Sequence, residues 1–242
     1  MVPAFDEAAG IGATLDALAA QTDQDFRLVV VDNASTDGTA DVVRAHPLVT
    51  STTAEVVHEV QRGTGAAADT GMRHAIARGA THLARTDADC LPAPDWTARV
   101  RAAFADLDLI AGRLLPRTDE GVPAWQRGVL VGAVAAAAAF GRFRPGNRVP
   151  GALGPYVMSA GCNMAITAEL YLRAGGFPRT RIQDVHEDRA LVNAVRPLTA
   201  RYGARRDVVV RGSSRRVRAW GLVRTLGWYA DHRYRPEHVD IR

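Results

Sequence analysis

The chain has 242 residues, and 47% of them are hydrophobic, which is enough to bury the core of one sizeable domain. All 30 basic residues are arginine, and the lack of lysine excludes Schiff-base chemistry, phosphate loops that end in Gly-Lys and lysine-dependent phosphatases. The net charge is +4, but the segment 196–242 has 12 arginines and 4 acids, an excess of 8 positive charges. Such a segment suits contact with phosphates, with an anionic membrane surface or simply with solvent. No nucleic-acid recognition module is visible.

Strands alternate with helices in the first third of the sequence. The opening residues "MVPAFDE" are typical of a strand end and the loop after it, and we expect the domain to need strand residues ahead of Val2. The β-branched run Leu28–Val31 predicts a strand that is buried on both faces. After a polar loop, Thr39 is expected to cap the next helix, with Asp41 in its first turn. Apolar residues at helical spacing predict further helices over residues 11–20 and 65–78.

The remaining elements continue this alternation. A helix is predicted over residues 96–104, a strand over residues 108–115, and a strand followed by a helix over residues 159–174. The apolar stretch Gly128–Phe140 is too short to span a bilayer and predicts a buried or an interfacial helix. An interfacial position would bring peripheral contact with a membrane. A loop rich in glycine and proline covers residues 145–155.

This order of elements predicts an α/β fold with a mixed, mostly parallel sheet flanked by helices, and with ligands bound at the carboxyl ends of the strands. No internal repeat or linker indicates a second domain. Cys90 and Cys162 are the only cysteines, and neither has the spacing of a metal ligand. We therefore expect two free thiols in a reducing cytoplasm.

Two carboxylates one residue apart, Asp87 and Asp89, follow a short apolar run in "HLARTDADC". Acids at this spacing on a loop can point into one cleft, and oxygen ligands of this kind suit Mg²⁺ or Mn²⁺ that also holds phosphate oxygens. A solvated turn is the simpler interpretation of the pair taken alone. An aspartyl phosphatase is disfavoured, because it commonly needs a lysine beside the phosphoryl group.

Asp32 ends the predicted strand Leu28–Val31, which is where an open α/β sheet presents residues to a ligand. Its carboxylate can accept a hydrogen bond from a nucleotide base or a ribose hydroxyl. The sequence "NASTDG" also favours a turn in which these polar side chains bond the local backbone. Phe5 can stack on a base or belong to the core.

Glu187 and Asp188 open a predicted helix whose Leu191 and Val195 face inward. Two acids at a helix start commonly complement the helix dipole. Alternatively, Asp188 acts as a general base that takes a proton from an incoming hydroxyl. His186 is more typical of a surface residue than of a third metal ligand.

Four stretches in this order, "VPAFDE", "VVVDNASTDGT", "RTDADC" and "GCNMAI…GGF…HEDRAL", resemble family 2 glycosyltransferases of the GT-A fold. The resemblance covers roughly residues 2–191. It implies an inverting enzyme that transfers one sugar from a nucleoside-diphosphate sugar to an acceptor hydroxyl with Mn²⁺ or Mg²⁺ as cofactor. The motif of processive synthases in this family, Gln-x-x-Arg-Trp, has only a loose counterpart in "SRRVRAW".

The resemblance also implies roles for individual residues. Asp188 is the implied base, Asp87 and Asp89 bind the ribose and the metal on the diphosphate, and Glu187 lies on the acceptor side. Three residues depart from the family pattern, which usually has Asn in place of Asp6 and Arg-Asn in place of Ala68-Asp69, and Arg62 is expected to compensate. The remaining implied donor residues are Pro3, Ala4, Phe5, Glu7, Asp32 and Ala88, and the acceptor side is implied for Gly161, Cys162, Asn163 and residues 175–177.

The sequence leaves two other functions open. A nucleotidyltransferase of related fold would also use paired acids and a metal, although "FDEAAGIGA" lacks the basic residue that grips a triphosphate. A non-catalytic domain that binds a sugar nucleotide is the second alternative. Within a single domain, we expect residues 1–110 to bind the nucleotide and residues 111–242 to bind the acceptor, for which both a lipid-linked and a water-soluble molecule fit.

Overall fold

The structure is a computed structural model that describes residues 1–51, 54–179 and 186–231. The described strands are β1 Val2–Ala4, β2 Leu28–Asp32, β3 Ala54–His58, β4 His82–Arg85, β5 Leu91–Pro92, β6 Leu109–Pro116, β7 Met164–Thr167 and β8 Tyr202–Gly212. The described helices are α1 Ile11–Ala19, α2 Thr39–Ala45, α3 Pro47–Ser51, α4 Thr64–Ala77, α5 Trp96–Ala103, α6 Ala124–Gly141, α7 Ala168–Arg173, α8 Glu187–Val195, α9 Arg215–Trp220 and α10 Leu222–Asp231. The alternation of strands and helices confirms the α/β class predicted from the sequence.

The first sheet is parallel and has the order β1-β2-β3. Strand β2 forms its centre, and Val30 pairs with Val2 on one side and with Val56 on the other. All five residues of β2 are buried, as its β-branched sequence predicts for a strand covered on both faces. The sheet therefore presents the carboxyl ends of β1, β2 and β3 at one edge.

The second sheet is mixed and has the order β4-β7-β6-β8-β5. Strands β6 and β8 are parallel, while β4 with β7, β6 with β7 and β5 with β8 are antiparallel. Met1 links this sheet to the first one, because its nitrogen donates to the carbonyl of Ala84 at 2.6 Å and the Thr86 N–H donates to its carbonyl at 3.2 Å. This is the hydrogen-bond pattern of a parallel pair, so β1 and β4 run in the same direction.

Side chains on successive residues of a strand enter different hydrophobic clusters, so both sheets are covered on two faces. Ile110 of β6 packs in the cluster that contains α1 and α5, whereas Leu109 packs in the cluster that contains α4, α7 and α8. The expected inward positions of α8, Leu191 and Val195, are fully buried in the second of these clusters. Burial of each such side chain stabilises the fold by about 1.5–3 kcal/mol.

Thr39 does not cap helix α2, in contrast to the prediction. The N-cap residue is Gly38, which has φ +86°, and Thr39 is the first helical residue. The Thr39 hydroxyl instead accepts the N–H of Glu7 at 2.8 Å, and its backbone N–H donates to Asp37. The Thr39 side chain, which the local sequence assigns to the helix cap, is thus used in a hydrogen bond to a residue 32 positions away.

Helix α6 also differs from the prediction. It has 18 residues, because four residues before Gly128 and one after Phe140 extend the apolar stretch, and by length and composition it is the one described helix able to cross a membrane. Only 11% of it is buried, so it is not the buried core helix that the sequence allowed. Trp125 and Phe140 are among its exposed side chains.

Candidate active site

The acidic residues singled out in the sequence meet at one edge of the sheets. Strands β1, β2 and β4 run in the same direction, so the residues that follow their carboxyl ends share this edge. Glu7 follows β1, Asp32 ends β2, and Asp87 and Asp89 follow β4. The fold thus brings together carboxylates that are up to 82 positions apart in the chain.

At the β2 end of this edge, local hydrogen bonds shape the loop around Asp32. The carboxylate of Asp32 accepts the N–H of Ser35 at 3.2 Å, and its other oxygen lies 3.2 Å from Nδ1 of His58. Asp6 and Ala34 adopt positive φ angles of 49° and 60°, a conformation that is uncommon for residues other than glycine. Such strained positions cluster at ligand sites, which supports a binding role for this loop.

Phe5 lies beside this loop under the guanidinium of Arg62. The Arg62 Cζ is 5.0 Å from the centre of the Phe5 ring, within the range of a cation–π contact. Pro3 and Ala4 are buried strand residues that pair with Val31 and Asp32 of β2. Phe5 and Arg62 together form an aromatic and cationic surface next to Asp32.

A guanidinium joins the first loop to the acid pair. Arg215 of helix α9 forms a bidentate ion pair with Glu7, with Nη1 2.9 Å from Oε2, and its Nη2 also lies 3.2 Å from Asp89. Burial raises the pKa of Glu7 to about 7, against the opposing effect of Arg215. Arg215 was not recognised in the sequence, where its only signal was its place in "SRRVRAW".

A second arginine joins the acid pair to helix α8. Arg85 is 1% exposed, donates from Nε to Asp87 at 3.0 Å, and lies 3.4 Å from Glu187. Its guanidinium also packs 5.3 Å from the ring centre of Phe177. Burial raises the pKa of Asp87 even though Arg85 acts in the opposite direction. Sequence analysis missed Arg85, because nothing local distinguishes it from a surface arginine.

Asp188 lies on the α8 side of the same cluster. Its carboxylate accepts the N–H of Gly161 at 3.3 Å and that of Arg189 at 2.6 Å. Burial, followed by the negative charge of Glu187, raises the pKa of Asp188 to about 6. A carboxyl group with this pKa is largely ionised at neutral pH and is a stronger base than an exposed aspartate.

Three of the anticipated ligand residues are placed differently from what the sequence implied. Asn163 is 0% exposed, and its amide accepts from Trp96 Nε1 at 2.9 Å and donates to the carbonyls of Arg113 and Val208 at 3.0 Å. Its side chain therefore holds the interior together and does not face an acceptor. The methyl group of Ala88 is buried in the core, and the Cys162 side chain packs against the same core cluster. Both cysteines are free thiols, as predicted.

Asp69, which departs from the family pattern, has a structural role. Its carboxylate accepts the hydroxyl of Tyr171 at 2.9 Å and pairs with Arg73 at 3.0 Å. Arg179 approaches it at 3.5 Å. Because Arg73 and Arg179 both pair with this carboxylate, Asp69 is not an unpaired acid near the donor side.

The acid pair fits a divalent cation whose remaining ligands come from elsewhere. Among residues 1–51, 54–179 and 186–231, no group of three or more His, Cys, Asp or Glu side chains forms a complete metal site. Asp89 nevertheless holds a cationic group already, the guanidinium of Arg215, so a positive charge is favourable at this point. Hard carboxylate oxygens of this kind suit Mg²⁺ or Mn²⁺ shared with phosphate oxygens.

Comparison with known proteins decides the family. The model of the family described as glycosyl transferase family 2 matches residues 1–156, which include both the first loop and the acid pair. The chain belongs to glycosyl transferase family 2. Three of the four motifs lie within the matched residues, and the resemblance noted in the sequence is confirmed.

Individual relatives agree with this assignment. Glycosyltransferase AglE of Haloferax volcanii is 30% identical over 118 residues, which cover 47% of this chain and 38% of AglE. The mannosyltransferase PcManGT of Pyrobaculum calidifontis, solved in complex with GDP-Man and Mn²⁺, is 28% identical with a TM-score of 0.60, covering 90% of this chain and 58% of PcManGT. TarS 1-349 of S. aureus, solved with UDP, has a TM-score of 0.64 at 16% identity and covers 93% of this chain and 63% of that one. The GT-A fold is thereby confirmed, and this chain spans only part of each relative.

Proposed function

We propose that the protein is an inverting, metal-dependent glycosyltransferase that moves one sugar from a nucleoside-diphosphate sugar to an acceptor hydroxyl. The observation that carries this proposal is the Arg85 bridge, which connects Asp87 on the donor side with Glu187 beside Asp188. A leaving group held at Asp87 and a base at Asp188 then belong to one site. The donor and metal in the PcManGT complex, GDP-Man and Mn²⁺, support this class of substrate.

On the donor side, we assign nucleotide binding to the edge formed by β1, β2 and β4. Asp32 accepts a hydrogen bond from the base or the ribose, and Phe5 with Arg62 offers a stacking surface. Asp87 and Asp89 would hold the cation, together with diphosphate oxygens. When bound, a divalent cation neutralises the charge that develops on the departing nucleoside diphosphate. These donor residues lie within the proposed nucleotide part, residues 1–110.

On the acceptor side, Asp188 removes the proton of the attacking hydroxyl. The N–H groups of Gly161 and Arg189 orient its carboxylate, and burial together with the charge of Glu187 raises its pKa. Direct attack from this side on the anomeric carbon displaces the nucleotide in one step. An α-linked donor therefore yields a β-linked product, which NMR of the glycoside detects.

Two substitutions test the assignment. Asp188→Asn removes the base while leaving the donor edge intact, so turnover is expected to fall at least 100-fold while nucleoside-diphosphate binding persists. Asp95→Asn, at an exposed aspartate before α5, is the matched control. Normal turnover in Asp188→Asn would remove this residue from the mechanism.

Two readouts separate the alternatives. A nucleotidyltransferase releases pyrophosphate, whereas the proposed enzyme releases a nucleoside diphosphate. A purely binding domain shows a ligand-dependent rise in melting temperature without turnover. Screening UDP, GDP and dTDP with and without Mn²⁺ by thermal shift also identifies the donor base. Cellular fractionation tests the expected cytoplasmic location.

Helix α6 supports peripheral contact with a membrane and hence a lipid-linked acceptor. Trp125 and Phe140 are 64% and 68% exposed on this helix, and Arg127 and Arg142 flank its apolar stretch. Aromatic and basic side chains in this arrangement favour the surface of an anionic bilayer. Trp125→Ser with Phe140→Ser should abolish flotation with phosphatidylglycerol vesicles, whereas Val60→Ser, at an exposed loop valine, should not.

A further inference from the structure

A cavity of about 540 Å³ lies between the end of helix α6 and the end of helix α8. Its walls include Arg142, Phe143, Arg148, Tyr156 and Arg196. Among the described residues, no aspartate or glutamate lines it, and its three arginines give it a positive charge. Its volume is within the range of pockets that hold small organic ligands.

The three arginines of this cavity, of which Arg196 is buried and Arg142 and Arg148 are exposed, lack the acidic partners that Arg85 and Arg215 have. Arg85 and Arg215 each contact two carboxylates, but Arg142, Arg148 and Arg196 form no ion pair with any carboxylate among the described residues. The guanidinium of Arg142 forms a cation–π contact with the ring of Phe143, with 4.9 Å between Cζ and the ring centre. The positive charges are therefore available to an external anion.

Arg196 is the one buried arginine of the three. It is 5% exposed and donates to the carbonyls of Asn147 at 2.7 Å and Gly154 at 3.1 Å, which fixes it in the wall. Its Nε is buried without a hydrogen-bond partner among the described residues. A buried guanidinium without a countercharge is unfavourable, and an anion in the cavity would relieve this cost.

Helix α8 links the cavity to the proposed base, with a rise of about 12 Å along the helix between Asp188 and Arg196. Helix α8 places Asp188 in its first turn, and Arg196 directly follows its last residue. Between them, the Asn193 amide donates to the carbonyl of Gly146 at 3.2 Å, which ties α8 to the segment that contributes Asn147 and Arg148 to the cavity. Tyr156 lines the cavity, and burial together with the charge of Asp188 raises the pKa of its hydroxyl to about 12.

We propose that this cavity binds a phosphate group of the acceptor, held by Arg142, Arg148 and Arg196 while the acceptor hydroxyl reaches Asp188. The inference rests on the proposed function, since it concerns the acceptor of the same reaction. Guanidinium groups bind phosphate oxygens through paired, charge-assisted hydrogen bonds, and they do so better than any neutral group in this wall. The phosphate takes no part in the bond changes and serves to position the acceptor.

The test uses the double variant Arg142→Gln with Arg148→Gln, since both side chains are exposed and their loss should not impair folding. Inorganic phosphate and pyrophosphate are the probes, with EDTA present and ionic strength matched by chloride. Both probes should raise the melting temperature of the wild type. The double variant should bind them at least tenfold more weakly, and Arg44→Gln, an exposed arginine on α2, should bind them normally. Equal binding by wild type and double variant, or none by either, would overturn the proposal.

A second arm identifies the source of the phosphate. Vesicles that contain phosphatidic acid present a phosphomonoester at a membrane, and phosphatidylglycerol vesicles provide the comparison. Preferential binding of phosphatidic acid that is lost in the double variant indicates a lipid phosphate. Binding of inorganic phosphate and pyrophosphate without this preference indicates a water-soluble phosphorylated acceptor.

Failure of this inference is distinguishable from failure of the proposed function. The double variant should retain the thermal shift caused by nucleoside diphosphate with Mn²⁺. Asp89→Asn should lose that shift but keep the arginine-dependent response to phosphate. If the wild type shows no thermal shift with any nucleoside diphosphate, the proposed function is contradicted. The phosphate measurement still tests whether the cavity binds a phosphate group.

Discussion

Glu7 and Arg215 form a bidentate ion pair although 208 positions separate them in the chain. The pair attaches helix α9 to the loop after β1, and Arg215 reaches Asp89 from the same position. Two of the carboxylates at the proposed donor site therefore share one guanidinium, which is supplied by a distant part of the described chain. A cation that binds Asp89 must displace this guanidinium or share the carboxylate with it.

Arg215→Gln should strengthen Mn²⁺ binding in the absence of nucleotide. Removal of the competing guanidinium frees Glu7 and Asp89, and we expect a gain of about three- to tenfold in affinity. Electron paramagnetic resonance of free Mn²⁺ measures this directly. Arg218→Gln, an exposed arginine on the same helix, is the control and should leave the affinity unchanged. Unchanged affinity in Arg215→Gln would show that the guanidinium does not compete with the metal.

The activity should depend on pH through Asp188. The base acts when ionised, and its pKa is raised to about 6, so kcat/KM should fall about tenfold per pH unit below pH 6. Glu187→Gln removes the neighbouring negative charge and should move this inflection to lower pH. Initial rates between pH 4.5 and about 8 provide the profile. An inflection that stays in place in Glu187→Gln would contradict this electrostatic account.

Replacement of Arg85 by methionine should destabilise the protein in a pH-dependent way. Removal of a buried cation leaves Asp87 and Glu187 without their partner, which costs about 3–5 kcal/mol where both are ionised. The loss should shrink as the pH falls, because protonation removes the uncompensated negative charges. Urea unfolding at pH 8 and pH 5 measures the difference. A loss of equal size at both pH values would argue against charge as the cause.

Asn163→Ala should reduce the free energy of unfolding by about 3 kcal/mol, since it removes three hydrogen bonds, two of them buried, to Trp96 Nε1 and to the carbonyls of Arg113 and Val208. Urea unfolding again provides the value. Gln24→Ala is the matched control, because the Gln24 amide also donates to two carbonyls but lies in solvent. That substitution should cost less than about 1 kcal/mol. Similar losses for the two variants would contradict the buried role of Asn163.

The local sequence determined the secondary-structure elements more firmly than it did the site. The run Leu28–Val31 and the apolar spacing of α1 and α8 follow from patterns within a few residues, whereas local patterns left the roles of Asp87, Asp89 and Asp188 open and the resemblance to the family implied them. Such patterns predict structure because periodic burial and strand propensity act over one element at a time. The order of motifs along the chain was also sufficient to identify the family.

Only the tertiary structure decided which cations meet these acids. Arg215 reaches Glu7 across 208 positions and Arg85 reaches Glu187 across 102 positions, and no local pattern distinguishes these arginines from the others. The same applies to Asn163, whose amide is used by three distant groups, and to Thr39, whose hydroxyl serves Glu7 instead of a helix cap. Ion pairs and buried hydrogen bonds of this kind depend on how the elements pack, because each partner is supplied by a different part of the chain.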